Sequence, residues 1–427
     1  MRQLVIKSES DELKAALIDD GKLIEYFVEQ HAHKPTVGNM YKGKVINVLP
    51  GMEAAFVDIG LSKNAFLHVD DLLPVSTTPV KSARKSIDQL VRGGQELLVQ
   101  VMKEPLGTKG ARVTTHYSLP GRWLVYMPQA DYVGISRKID DEAERERLKR
   151  IGEQLRREGE GLILRTAAVG KSEEELRQDL QGLRHLWQNI LAQWDTTPAP
   201  AELFHELDML PRLVRDVFTD QVQRCVVSDR RLLAQLTNVL CQYAPQLIGR
   251  VVLEDHHDVF EHYRIHDQVN RLLARKIWLD NGGYIVIDHT EALTVIDVNT
   301  GKYTGSVDLE QTVFETNLEA ARMIAQVIRL RDIGGMIIAD FIDMSKEEHR
   351  AAIVQLLEEE IRKDRTKCLI MGWTRLGLLE ITRKKIRESI GSKLNVVCPQ
   401  CGGTGRIQST DIPNGCECKM FVGRKKE

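Results

Sequence analysis

The sequence predicts an α/β protein of several domains. At about 150 residues per domain, its 427 residues suggest roughly three domains. Hydrophobic residues make up 42% of the chain and charged residues 28%, which is typical of a globular protein and excludes a disordered or collagen-like one. Short apolar runs dominate residues 41–107, whereas strand and helix patterns alternate between residues 282 and 387.

Composition also limits the partners. No run approaches the roughly 18 apolar residues that a membrane helix needs, and the N-terminal residues lack the apolar stretch of a signal peptide. We therefore expect a cytoplasmic protein that does not bind membranes. Because 59 basic residues are balanced by 61 acidic ones, a nucleic acid must be bound by local basic clusters and not by a global positive field.

The N-terminal half begins with strands. The pattern predicts a strand over 3–7, a short helical or turn stretch, and two strands around the polar turn at 19–21, which together are too small to fold alone. From residue 41, Gly and Pro turns separate short strands that fit a small barrel. These strands are predicted at 43–49, 54–59, 65–69 and 96–102.

Helices become frequent after residue 117. Strands are predicted over 122–127 and 161–166, and a long helix begins after Ser172, which has the spacing of a capping box with Glu175. The next segment, 206–275, is mostly helical with a short strand at 225–227. The C-terminal α/β region is predicted as a hairpin at 284–288 and 293–298, a helix at 309–330, a strand at 336–340, a second helix, and a strand at 368–371.

Two aspartates end neighbouring predicted strands. Asp297 and Asn299 stand two residues apart and so point to one face, and Asp340 ends the next strand. Strand, helix and strand in this order normally form a right-handed parallel unit, so the carboxylates should meet at one sheet edge. Such a pair suits Mg²⁺ bound to phosphate and water. The alternative is that these aspartates and Asp343 only cap strand ends and helices.

The predicted barrel carries an aromatic and basic mixture. Phe56 and Phe66 lie on neighbouring strands, and this combination of residues can stack on bases and neutralise phosphates. The alternative is that both phenylalanines belong to the barrel core. The accompanying residues are Tyr41, Lys42, Lys44, Lys103, Lys109 and Arg112.

Two further patterns suggest ligands. Arg165 and Thr166, at the end of a strand, could hold a phosphate through a guanidinium fork and a hydroxyl, although a solvated arginine is the alternative. Cys398-Pro-Gln-Cys401 has the spacing of half a zinc site. Cys416 and Cys418 would complete four thiolates, but their spacing is tighter than usual, and unliganded tail thiols are equally plausible.

With these residues in view, the chain resembles the ribonuclease E/G family of bacterial endoribonucleases from about residue 1 to 405. The motifs that carry the resemblance are Tyr41-Lys-Gly-Lys, Glu53-Ala-Ala-Phe-Val-Asp-Ile-Gly, Leu164-Arg-Thr-Ala, Ile287-Asp-His-Thr-Glu-Ala-Leu-Thr-Val-Ile-Asp-Val-Asn, Leu330-Arg-Asp-Ile-Gly-Gly, Ala339-Asp-Phe-Ile-Asp-Met and Cys398-Pro-Gln-Cys.

The resemblance implies an order of domains. An RNase H-like subdomain is split between residues 1–36 and 206–278 and is interrupted by an OB-fold RNA-binding domain and a sensor of the RNA 5′ end. A DNase I-like catalytic subdomain and a zinc-binding link follow. The implied bounds of the last four parts are 37–118 for the OB fold, 119–205 for the sensor, 279–395 for the catalytic subdomain and 396–427 for the link and tail.

The resemblance also implies an activity and its residues. Asp297 and Asp340 are expected to bind Mg²⁺ and Asn299 to position the scissile phosphate or attacking water, so that single-stranded RNA is cut to 5′-phosphate and 3′-hydroxyl ends. The expected substrates are ribosomal RNA precursors and messenger RNA. The remaining implied contacts are Phe56, Phe66, Lys103 and Lys109 with single-stranded RNA, and the Val125 backbone, Arg165 and Thr166 with a 5′-monophosphate.

Three expectations separate this chain from its apparent relatives. It ends at Glu427 without the small assembly domain that usually follows the link, and Lys367 falls where some members have an arginine that supports the 5′-end pocket. Zinc is shared between two subunits in the family, which would give a homodimer, whereas four cysteines could hold it within one chain here.

The competing function is a non-catalytic RNA-binding or assembly factor. A nucleotide-binding protein is disfavoured by the absence of a P-loop motif.

Overall fold

The computed structural model describes residues 1–9, 11–30, 35–72, 86–105, 109–254, 258–301, 308–385, 389–391, 398 and 401. Within these residues the protein is a mixed α/β structure, as the sequence predicts, and its strands form four sheets.

Three antiparallel strands open the chain: β1 (Arg2–Ser8), β2 (Glu12–Asp19) and β3 (Lys22–Gln30). The β2–β3 turn is the predicted one, with φ of 46° at Asp20 and 76° at Gly21. Two successive positive φ values are typical of a type I′ hairpin turn, for which Asp-Gly is a preferred sequence. β1 and β2 are joined tightly, since the Glu9 amide donates to the Glu12 carbonyl at 2.8 Å.

The next strands close into the predicted small barrel, which is OB-like. Its elements are β4 (Met40–Leu49), β5 (Ala54–Asp58), β6 (Ala65–His68), the short helix α1 (Ile87–Leu90), β7 (Glu96–Lys103) and β8 (Arg112–Thr114). The strand order is β4-β5-β6-β8-β7, and β7 pairs again with β4. Gly43 permits this closure, because a Cβ atom there would lie 2.5 Å from Val57 Cγ1.

A second sheet and a long helix follow the barrel. The elements are β9 (Leu119–Pro120), β10 (Leu124–Pro128), β11 (Val133–Ile135), α2 (Glu142–Leu155), β12 (Glu160–Leu164), α3 (Glu173–Thr196) and β13 (Ala201–Phe204). The predicted capping box at the start of α3 is present, with reciprocal bonds between Ser172 and Glu175. β13, which the sequence pattern does not predict, pairs with β4 and so ties this region to the barrel.

The helical segment that follows completes the first sheet. Its elements are α4 (Met209–Asp216), β14 (Arg224–Val227), α5 (Arg230–Tyr243), β15 (Val251–Leu253), α6 (Val259–His262) and α7 (Ile265–Leu273). β14 lies parallel to β1 and to β15, so the order is β15-β14-β1-β2-β3. Strands from the beginning of the chain therefore share a sheet with strands about two hundred residues later.

The last sheet positions the candidate active site. Its elements are β16 (Lys276–Trp278), β17 (Tyr284–His289), β18 (Leu293–Asn299), α8 (Leu309–Leu330), β19 (Gly335–Asp340), α9 (Glu347–Ile361), β20 (Cys368–Trp373) and β21 (Leu378–Arg383). The order is β16-β17-β18-β19-β21-β20, with β18 and β19 parallel and joined through α8. Ile296, Ile324 and Ile337 are fully buried in one core, so α8 covers one face of this sheet. The other face carries Asp297, Asn299 and Asp340.

Candidate active site

Asp297 and Asp340 lie side by side at the carboxyl ends of β18 and β19. They are direct register partners across these parallel strands, and both side chains are exposed on the sheet face that α8 leaves open. Asn299 adjoins them, because its amide Nδ2 donates to Asp297 Oδ2 at 2.8 Å. The structure thus brings together the three side chains that the strand pattern predicts should converge.

Negative charge accumulates at this point. Partial burial raises the pKa of the Asp340 carboxyl, and the neighbouring carboxylates of Asp297 and Asp343 raise it further. Within the described residues neither Asp297 nor Asp340 forms an ion pair with a lysine or arginine. An uncompensated pair of this kind favours a cation.

The carboxylate pair has the donor chemistry that Mg²⁺ requires. The part of the chain that the structure describes contains no group of three or more histidine, cysteine, aspartate or glutamate side chains placed to hold a metal ion. Mg²⁺ usually binds one or two carboxylates and takes its other ligands from water and substrate phosphates. Two adjacent carboxylates beside an open sheet face meet that requirement.

The loop after Asp340 is held from α8. Asn317 is fully buried, donates from Nδ2 to the Ile342 carbonyl at 2.8 Å and accepts from the Ile342 amide at 3.1 Å. Glu310 accepts from the amides of Ser345 and Lys346, which fixes the start of α9. These polar residues place Asp343 near the carboxylate pair, and their spacing in the sequence gives no sign of this role.

On the barrel, four of the candidate RNA contacts form one row across adjacent strands, which we call the barrel row: Phe56, Phe66, Arg112 and Lys103. Phe56 pairs with Phe66, Phe66 with Arg112, and Arg112 with Lys103. The two phenyl rings meet edge to face with centroids 6.0 Å apart. Both phenylalanines are half-buried and alternate with the buried Ala55, Val57 and Leu67, so they lie on the outer surface and not in the core.

One charged side chain of the barrel row, Arg112, forms an ion pair. Arg112 binds Asp71 through Nε at 2.8 Å and Nη2 at 2.7 Å, so its guanidinium is held in place beside Phe66. Lys103 and Lys109 are exposed. The row therefore presents an aromatic pair, one oriented guanidinium and one exposed ammonium, and Lys109 lies three residues before β8 begins.

The candidate 5′-phosphate residues are gathered around Arg165. Its Nη2 donates to Asp216 at 2.7 Å, and its Nη1 donates to the Gly121 carbonyl at 2.6 Å. Thr166 shares a 2.9 Å hydrogen bond with Ser136. Val125 lies on β10 opposite Ile163 of β12, two residues before Arg165. A guanidinium has five N–H donors, so these bonds orient Arg165 without exhausting it.

One residue that supports the chain near Arg165, Asp179, is not indicated by any sequence pattern. Asp179 of α3 accepts the amides of Arg122, Trp123 and Leu124, at 3.2, 2.8 and 3.2 Å, and so fixes the chain just before Val125. Burial raises the pKa of the Asp179 carboxyl, although these amides counteract that rise.

Arg365, from the C-terminal region, contacts the residues around Arg165. Its Nη1 donates to the Asp216 carbonyl at 2.8 Å. Lys367, which the resemblance suggests for this support, is exposed, and its carbonyl accepts from the Lys384 amide at 2.9 Å.

The zinc expectation falls mostly outside the described residues. Cys398 and Cys401 are partly buried, whereas Cys416 and Cys418 lie beyond the described part of the chain. The four-cysteine site therefore stays a prediction. Among the described residues, no helix combines the length and apolar character needed to cross a membrane.

Comparisons with known proteins agree with the resemblance. The sequence model of the ribonuclease E/G family matches residues 118–386. The chain is 42% identical to ribonuclease G of Salmonella typhimurium SL1344 over 415 residues, which covers 96% of this chain and 85% of that protein. It is 41% identical to ribonuclease G of Escherichia coli K12 over 418 residues, with the same coverage. It is also 39% identical to ribonuclease E of Nostoc sp. PCC 7120 over 410 residues, which covers 95% of this chain and 59% of that protein.

Proposed function

The chain belongs to the ribonuclease E/G family, and from that membership we propose that it is an Mg²⁺-dependent endoribonuclease that hydrolyses single-stranded RNA. Cleavage leaves 5′-phosphate and 3′-hydroxyl ends and serves the processing and turnover of ribosomal and messenger RNA. The observation that carries this proposal is the pairing of Asp297 with Asp340, without a basic partner in the described residues and with Asn299 bonded alongside.

The chain's own residues divide the work of the reaction. Asp297 and Asp340 would hold Mg²⁺, which when bound lowers the pKa of a coordinated water and neutralises phosphate charge. Asn299 is oriented by its bond to Asp297, so its side chain can position the scissile phosphate or the attacking water. The open sheet face gives the RNA backbone access to all three groups.

The barrel row and the Arg165 pocket bind the substrate. Phe56 and Phe66 stack on bases, while Lys103, Lys109 and Arg112 neutralise backbone phosphates. Arg165, Thr166 and the Val125 backbone receive a 5′-monophosphate, which gains charge-assisted hydrogen bonds from a guanidinium already fixed by Asp216.

Zinc would be bound by Cys398 and Cys401. The remaining two ligands come either from Cys416 and Cys418 of the same chain or from the same pair in a second subunit. Native mass spectrometry of the wild type and a Cys416→Ser, Cys418→Ser variant separates the arrangements. A monomer with one zinc that the variant loses supports the single-chain site, whereas a dimer with one zinc for two chains, unchanged in the variant, refutes it.

The decisive test of the catalytic assignment removes one carboxylate at a time. Asp297→Asn and Asp340→Asn should each lower Mg²⁺-dependent cleavage of a labelled single-stranded RNA by at least about a hundredfold and leave RNA affinity within a few-fold, because the barrel row makes most contacts. Glu380→Gln is the matched control, since it removes an exposed carboxylate from the same sheet two residues beyond the partner of Asp340.

Three results of this test would count against the proposal. Retained cleavage in either aspartate variant, or an equal loss in the Glu380 control, would refute the assignment. RNA binding by the wild type without Mg²⁺-dependent cleavage would instead favour a non-catalytic RNA-binding factor.

A further inference from the structure

An aromatic pair, with Trp278 exposed and Tyr284 partly buried, lies at the edge of the last sheet. Trp278 of β16 and Tyr284 of β17 are register partners, and their rings meet at a centroid distance of 5.2 Å and an angle of 63°. Nearly half of the Trp278 side chain, 46%, is exposed. Lys276 places Nζ 3.5 Å from the Tyr284 ring centroid and 4.3 Å from that of Trp278. We call Trp278 and Tyr284 the aromatic platform.

The aromatic platform adjoins the candidate active site through the sheet register. Tyr284 is the register partner of Asn299, and its neighbour Val286 is the partner of Asp297. Register partners in an antiparallel pair point to the same face, so the aromatic platform and the carboxylates share the open face of the sheet. Adjacent strands are about 5 Å apart, which places the rings within about one or two strand spacings of Asn299.

The turn after Asn299 packs against both rings. At Gly301, where φ is 59°, a Cβ atom would lie 3.1 Å from Tyr284 Cδ1, 3.4 Å from Trp278 Cζ3 and 2.5 Å from the Gly282 carbonyl. A larger residue would therefore displace the turn or the rings. The aromatic platform and the strand end that carries Asn299 are thus one packed unit, so a group stacked on the platform is held at a fixed position relative to the carboxylates.

We propose that the aromatic platform is a nucleobase-binding site, which stacks the base of a nucleotide next to the scissile phosphate. This inference rests on the proposed function, because it requires RNA at Asp297 and Asp340. Aromatic side chains stack on any base, and a nearby ammonium can neutralise a phosphate of the same strand. Lys276 supplies that ammonium, since it is exposed and its Nζ lies close to both rings. Because Nζ covers the Tyr284 ring at 3.5 Å, the base stacks on the exposed Trp278 ring and Tyr284 supports that ring from the side.

Affinity measured in a catalytically impaired background isolates binding from cleavage. In the Asp297→Asn protein, a further Trp278→Ala substitution should weaken binding of a short single-stranded RNA about tenfold, whereas Trp278→Phe should keep most of the affinity because a ring remains. Met336→Ala is the matched control: Met336 is 55% exposed and is the second residue of β19, near the end opposite Asp340. It should change affinity by less than about twofold.

RNAs with one abasic nucleotide identify the stacked position. The abasic site is moved along the RNA one nucleotide at a time. At one position, removing the base should weaken binding to the protein that retains Trp278 but should not weaken binding to Trp278→Ala any further, because the base and the ring belong to one interaction. Identical abasic profiles for the two proteins, or equal affinities of Trp278→Ala and Met336→Ala, would overturn the proposal. Circular dichroism of each variant checks that it folds.

The two proposals fail in different ways. If Asp297→Asn cleaves RNA at the wild-type rate, the catalytic assignment is wrong, but the affinity comparison still decides whether the aromatic platform binds a base. If Asp297→Asn is inactive and Trp278→Ala has normal affinity with an unchanged abasic profile, only the aromatic platform is refuted.

Discussion

Replacing Asp216 by asparagine should destabilise the protein in a pH-dependent way. Asp216 ends α4 and is largely buried. Its Oδ1 accepts from Arg165 Nη2 at 2.7 Å and Arg215 Nε at 3.2 Å, and its Oδ2 accepts from Arg215 Nη2 at 3.0 Å. Burial acts to raise the pKa of this carboxyl, but the two guanidinium groups outweigh it and hold the pKa at about 2, below its ordinary value of 3.8.

The pKa shift gives the expected size of the effect. One unit corresponds to about 1.4 kcal/mol, so the ionised carboxylate contributes about 2 kcal/mol to the free energy of unfolding at neutral pH. Asparagine resembles the protonated acid in shape and charge and should lose this amount. Because the folded pKa is depressed, the contribution is complete above pH 5 and is lost as the pH falls through 3.8 towards 2.

Urea unfolding at several pH values measures this difference. The gap between wild type and Asp216→Asn should stay near 2 kcal/mol from pH 7 to pH 5 and shrink below pH 4. Asp195→Asn, an exposed substitution on α3, is the control and should stay within about 0.5 kcal/mol of wild type at every pH. A gap that is absent at pH 7, or that is equally large at pH 3, would refute the electrostatic explanation.

Three further results are expected. Phe66→Ala should weaken binding of single-stranded RNA about tenfold in an anisotropy titration, because it removes one ring of the barrel row. Ile46→Ala, an exposed substitution on the barrel, is the control and should bind RNA with wild-type affinity. Equal affinities of the two variants would contradict the stacking role. Arg165→Lys should reduce the preference for 5′-monophosphorylated over 5′-hydroxyl RNA about tenfold in cleavage assays, because the guanidinium fork is lost. The exposed control Arg150→Lys should leave this ratio unchanged. An unchanged ratio in Arg165→Lys would mean that the 5′-phosphate binds elsewhere. Ser172→Ala should lower the unfolding free energy by about 1 kcal/mol because the α3 cap is lost, and thermal stability equal to wild type would contradict this.

Features governed by neighbouring residues were predictable from the sequence. The Asp20-Gly21 turn and the capping box at Ser172 depend on conformations set within four residues, and both are present. The meeting of Asp297 with Asp340 also follows from a general rule, because a strand, a helix and a strand form a right-handed parallel unit. Of these three features, the carboxylate pair is the one that belongs to the candidate site.

Very short strands, strand register and long-range side-chain contacts were not predictable. β16 is three residues long, too short to show an alternating pattern, and is recognised by its pairing with β17. The barrel row aligns Phe66 with Lys103 through Arg112, and this register appears only after the barrel has closed. The support of Arg165 by Asp216 joins residues 51 apart. No sequence pattern of fixed period encodes such contacts.

Charge balance distinguishes the carboxylates on the open face of the last sheet. Asp288 lies on the same open face as Asp297, two residues along β17 from the register partner of Asp297. Arg275 neutralises it through bonds of 2.6 and 2.7 Å, which lower the pKa of its carboxyl. Among the described residues, Asp340 has no such partner, and partial burial together with its carboxylate neighbours raises the pKa of its carboxyl. Clustered like charge opposes folding, so its persistence at one sheet edge favours a cation there in the working protein. The Asp288–Arg275 pair shows that this sheet can accommodate an arginine beside an aspartate. Asp297 and Asp340 lack such a partner among the described residues, and for that reason they are better candidates for catalysis than Asp288.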